Sequence, residues 1–138
     1  MRSRVQDVYL GVVENTRRQQ DLSELLAQWH AWAKGWGALE RHATSAMFTG
    51  VRSSRQWDSE NDIAGNAAHH ATMEALDFHV NELSHLWRTA LLIQARNLYT
   101  GRSVWISARL PTDPAQRTAV LVEARSALMA RLVRAGVL

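Results

Sequence analysis

Apolar residues recur three and four positions apart along most of the chain, the spacing that puts side chains on one face of a helix, and no stretch alternates with the period of two expected of a strand. Val5, Val8, Tyr9 and Val12 predict a short amphipathic helix over residues 4 to 18, running out at the polar Arg17-Arg18-Gln19-Gln20. Asp21, with Glu24 three positions on, reads as a new helix start. Leu22, Leu25, Leu26, Trp29, Trp32, Ala33 and Trp36 then share a face, and Gly35 and Gly37 mark its end. From 38 to 61 the pattern gives way to Thr44, Ser45, Gly50, Ser53, Ser54 and Asp58-Ser59-Glu60. This predicts a long polar connection with room for one short helix around Met47 and Phe48.

Periodicity returns at 62 to 83, where Ile63, Ala67, Met73, Leu76, Val80 and Leu83 hold one stripe, and again at 84 to 99, with Trp87, Leu91, Ala95 and Leu98 inward. Thr100-Gly101 stops that helix, and 103 to 110 is either one helical turn or an extended link. Asp113-Pro114 is a strong start signal, because an Asp side chain accepts from a free amide of the first turn and Pro lacks only a donor that was orphaned anyway. The last helix, 114 to about 134, turns Leu121, Ala124, Leu128 and Leu132 inward and Arg117, Arg131 and Arg134 toward solvent, and ends before Gly136. The expectation is an all-α single domain over 1–138 of about five helices. Residues 22–83 form an N-terminal helical part with a polar loop near 40–61, and 84–138 a basic, helix-turn-helix-like part.

With 46% apolar and 21% charged residues the composition is globular rather than disordered. No apolar run approaches a signal peptide or a membrane span, so a cytoplasmic protein without membrane contact is expected. The absence of cysteine removes disulfides, Cys-ligated metals and thiol chemistry together. The net charge of +3 hides a split. Residues 1–80 carry 8 Lys or Arg against 10 Asp or Glu, and residues 81–138 carry 8 against 3, so the C-terminal part is the likelier face for nucleic acid.

Little else points to reaction chemistry. His69, His70, Glu74, Asp77 and His85 are close in sequence, and His70 and Glu74 share a helix face at i, i+4. They do not make His-Glu-x-x-His, so polar helix-edge residues are expected rather than a metal or cofactor site. No nucleophile elbow, P-loop or dinucleotide fingerprint is present, and the chain is expected not to be an enzyme. Trp29, Trp32 and Trp36 share their stripe with leucines, which favours core over a base-stacking platform.

The C-terminal order of helix, break at Thr100-Gly101-Arg102, short segment and capped helix is the outline of a helix-turn-helix, whose second helix meets the major groove with its first turn. Gln116 and Arg117 occupy that turn, where Gln suits adenine and Arg suits guanine or phosphate, and Arg102 and Arg109 flank it as backbone contacts. A plain helical hairpin with solvated arginines fits the spacing equally well.

Leu26-Ala27-Gln28-Trp29-His30-Ala31-Trp32-Ala33 resembles the Trp-x-x-Trp-Ala signature of the lambdoid-phage late-gene antitermination protein Q family. Leu83, Leu86, Arg88, Ala90-Leu91, Tyr99, Val104-Trp105 and Arg109-Leu110-Pro111 look like that family's C-terminal region, which is similar to the promoter-reading helix-turn-helix of sigma factors. The resemblance spans roughly 22–138, and the first 20 residues have no counterpart in it. It implies a transcription antitermination factor whose partners are DNA near a phage late promoter and host RNA polymerase holding its sigma factor. The alternative is a helical adaptor, or a phage-encoded inhibitor of a host protein, that binds no nucleic acid.

Overall fold

The computed structural model describes residues 4–41 and 60–138. Within them the chain is all-α: α1 (Arg4–Arg41), α2 (Glu60–Asn81), α3 (His85–Thr100) and α4 (Pro114–Arg134). The expected short helix around Met47 and Phe48, and most of the polar loop near 40–61, lie outside the described residues, as do the side chains of Trp36 and Ile63.

Among the described residues there are four helices, because the two expected before residue 38 are one. Arg17, Arg18, Gln19 and Gln20 are good helix formers with no turn residue among them, so nothing local stops the helix there. The Arg18 to Glu14 ion pair, 3.0 Å at i, i+4, sits directly before the expected break. Asp21 is half-buried inside the helix rather than capping one. Gly35 is also internal, since a glycine ends a helix when its backbone turns left-handed, and among the described residues only Gly101 and Gly136 do so.

The predicted stripes meet in one core. Leu22, Leu26 and Trp29 of α1, Met73, Leu76 and Val80 of α2, Leu91 and Ala95 of α3, and Ala124, Leu128 and Leu132 of α4 are buried together, with Leu25, Trp32 and Trp87 packed on the margin. Contact is most extensive between α1 and α3, then between α3 and α4. Leu98, expected inward, is 40% exposed, and its neighbour Asn97 is buried instead. The N-terminal half of α1 takes no part in the core: every described side chain from 4 to 18 is exposed. Among the described residues no helix is long and apolar enough to cross a membrane.

Polar contacts fix how the helices sit. Trp29 Nε1 donates to Asp77 Oδ1 (3.2 Å), and Asn81 Nδ2 donates to the other carboxylate oxygen (3.2 Å), so α1 and α2 share a buried indole with a polar handle. Trp32 Nε1 donates to His70 Nδ1 (3.0 Å), while His70 Nε2 faces Glu74 Oε1 at 2.8 Å. An indole N–H only donates, so His70 holds its proton on Nε2 in this arrangement. On the other side of α1, His30 lies against Tyr99 with ring centroids 5.2 Å apart. Burial, reinforced by Lys34 and Arg96, lowers its pKa and favours the neutral ring.

Arg125 of α4 reaches into the junction with α1 and α3. Its Nε donates to Gln19 Oε1 (3.1 Å) and its Nη1 to Gln94 Oε1 (2.7 Å). Its Nη2 donates to Gln19 Oε1 (2.9 Å), the Gln19 carbonyl (2.9 Å) and Ser23 Oγ (3.1 Å). Burial pushes its pKa down, but the guanidinium stays charged, held by neutral acceptors alone.

Candidate nucleic-acid interface

The candidate residues lie on the segment from the end of α3 to the first turn of α4, and short-range chemistry builds that segment. Gly101, at φ +72°, takes the left-handed position that closes α3, and its N–H donates to the Asn97 carbonyl at 2.9 Å. The chain is non-helical from 102 to 107 and turns through 108–110, so the link is not a single helical turn. Spanning residues 101–113, it is longer than the 3–4-residue turn of a compact helix-turn-helix. Asn97 holds it down: its Nδ2 donates to the Val104 carbonyl (3.2 Å) and its Oδ1 accepts from the Val104 N–H (3.1 Å). Leu110, 5% exposed, pins the far end.

The Asp113-Pro114 signal operates as the residue types require. Asp113 Oδ2 accepts from the Gln116 N–H at 3.1 Å, with Pro114 in the first helical turn. The far end of α4 closes with Gly136 at φ +77°, where Val137 N–H donates to the Leu132 carbonyl (2.9 Å) and Gly136 N–H to the Val133 carbonyl (3.1 Å).

Arg102 and Arg109 are exposed on the link, and Gln116 is exposed on α4. Arg117 is half-buried, its guanidinium carbon 5.6 Å from the Trp105 ring centroid, a cation–π distance that ties the link to the start of α4. None of the three arginines is in an ion pair among the described residues. The helix start itself is not an open phosphate nest, because the Asp113 carboxylate already takes the Gln116 amide and places a negative charge there. Any attraction for phosphate therefore rests on the side-chain cations.

No family model, curated protein or solved structure matches this chain. The geometry is thus the main guide to the site. It brings Arg117 to the link through Trp105, whereas Arg102 and Arg109 are joined to it only through the backbone.

Two elements of this region were not read from the sequence. Asn97 was not singled out, although an Asn four residues before a helix-ending glycine is well placed to bridge the returning chain. The Trp105 contact with Arg117 spans two elements and has no local signal. Outside this region, His70 and Glu74 do pair on one helix face as their spacing indicates, and among the described residues no three His, Asp or Glu side chains gather as a metal site requires.

Asn97→Ala is expected to leave the Val104 N–H and C=O without partners at about 1–3 kcal/mol in stability. Hydrogen exchange checks it: the Val104 amide should lose protection while those of Leu128 and Leu132 keep theirs. Undiminished protection at Val104 would mean that the side chain does not hold the link.

Proposed function

We propose that this chain is a phage transcription antitermination factor that binds DNA near a late promoter and modifies host RNA polymerase, with its sigma factor, to read through terminators. The observation that carries the reading is a set of guanidinium groups without an ion pair among the described residues, Arg102 and Arg109 on the anchored link and Arg117 in the first turns of the capped helix beside it. Such a surface can neutralise phosphates without first breaking internal ion pairs. The excess of 8 basic over 3 acidic residues after position 80 agrees with it, as does the resemblance to the antitermination family. Gln116, exposed one residue before Arg117, is the candidate for contact with a base edge.

Two measurements test this. Wild-type protein added to purified polymerase on a template with a phage late promoter should raise terminator read-through, and the Arg102, Arg109 and Arg117 triple alanine variant should abolish it. In direct binding, log affinity against log salt should be steep, and the triple variant's slope should be shallower by up to about 2.7, at roughly 0.9 per phosphate contact. Full read-through by the triple variant removes the DNA contact, and none by the wild type removes antitermination itself. The adaptor reading draws support from the exposed apolar residues of α1, among them Val5, Val8 and Tyr9. It requires partner binding that does not change with salt in this manner.

A further inference from the structure

The N-terminal half of α1 is built against its own solvent exposure. Residues 4–18 include Val5, Val8, Val12, Val13, Thr16 and Gly11, all weaker helix formers than Ala, Leu or Glu. A helical arm about 22 Å long with this composition is marginal in water and draws its stability from burial. Among the described residues nothing buries it: Val5 is 77% exposed, Val8 64%, Tyr9 68% and Val12 60%.

The exposed residues are ordered rather than scattered. At 100° per residue, Val5, Val8, Tyr9, Val12, Val13 and Thr16 fall on one broad face, while Glu14, Arg17 and Arg18 fall on the opposite side and Arg4 beyond its edge. On the same wheel Leu22, Leu26 and Trp29, which the core buries, lie roughly 100° away from the valines, so the arm turns its apolar face away from the core. A shallow hollow of about 290 Å³ lined by Val12, Val13, Thr16, Arg17 and Gln20 runs along the flank of this face.

We infer that two copies of this chain pair through these arms, antiparallel, with the Val5, Val8, Tyr9, Val12 and Val13 faces in contact. A face free of charge is one that identical molecules can share without like-charge repulsion. Antiparallel pairing keeps the two bundles at opposite ends, where they do not collide. The area decides the strength. Roughly 500 Å² of each face would be covered, about 1,000 Å² in all, which is the lower limit for a specific interface. The dimer is therefore reversible and concentration-dependent.

Sedimentation of the full chain from about micromolar to millimolar concentration tests this, with a shift from 15.6 kDa toward twice that mass expected. Val8→Glu combined with Val12→Glu should abolish the shift, whereas Glu14→Gln with Arg17→Gln on the opposite side should keep it. Thermal unfolding of the dilute bundle should be unchanged in all of them, because none of these side chains reaches the core. The chain has no cysteine, so Tyr9→Cys, at the centre of the antiparallel seam, should give a disulfide-linked dimer under mild oxidation and Arg18→Cys should not. A monomer at every concentration overturns the pairing and leaves the arm to a different protein. Dimerisation of the double-Glu variant, or equal cross-linking from both cysteines, places the contact elsewhere and overturns it equally.

Discussion

Trp29→Ala is expected to cost about 3–5 kcal/mol, a large part of the 5–15 kcal/mol that holds a domain of this size together. The indole is 3% exposed at the meeting of α1 and α2, packed in one cluster with Leu26, Met73 and Leu76. Truncation removes that packing and also strands Asp77 Oδ1, which accepts the indole N–H at 3.2 Å. Trp29→Phe is milder, since it keeps the six-membered ring and loses the rest of the indole with its hydrogen bond, for a cost of about 1–3 kcal/mol. Urea unfolding monitored by helical circular dichroism reads both variants. A Trp29→Ala loss below about 1 kcal/mol would show that this indole does not hold α1 to α2.

Replacing Arg125 with methionine is expected to cost about 2 kcal/mol, because it keeps the apolar stem and removes every hydrogen bond to Gln19, Ser23 and Gln94. Arg125→Lys should recover less than half of the loss. An ammonium is a single donor centre and cannot reach Gln19 on α1 and Gln94 on α3 at once, as the planar guanidinium does. An opposing term exists, the cost of taking the charge partly out of water, and in some proteins apolar replacements of buried charges are neutral or stabilising. An Arg125→Met variant as stable as the wild type in the same unfolding experiment would show that this desolvation cancels the clamp.

What the sequence disclosed follows from the range of each signal. The cap at Asp113, the stops at Gly101 and Gly136, the inward stripe of α4 and the Met73, Leu76 and Val80 part of the α2 stripe depend on residues within a turn or two of one another, and they stand where their residue types put them, whereas Ala67, expected on the same α2 stripe, is exposed. The break expected at Asp21 failed because a capping pattern only offers an end to a helix, and here the neighbouring residues continued it. Trp29 and Trp32 belonged to the core stripe as their spacing indicated, but their partners Asp77 and His70 lie on another helix. Arg125 shows the limit most clearly. Its acceptors are up to 106 positions away, and in the sequence it is one more arginine on a basic helix. Within the candidate interface, Arg102, Arg109, Gln116 and Arg117 were legible as residues of one basic segment, while its anchorage by Asn97 and Trp105 was not.

The chemistry of the Arg125 clamp has a consequence for behaviour in acid. Its acceptors are two amides, a peptide carbonyl and a hydroxyl, none of which takes up a proton as pH falls, so the clamp itself has no acid-labile member. The contact of His30 with Tyr99, between the same α1 and α3, is made differently, because burial, with Lys34 and Arg96 nearby, holds the ring below its ordinary pKa. What the neutral ring contributes is present above the ordinary imidazole pKa and is lost as pH falls toward the lowered one, so acidification loosens this contact while the arginine on α4 still ties α1 to α3.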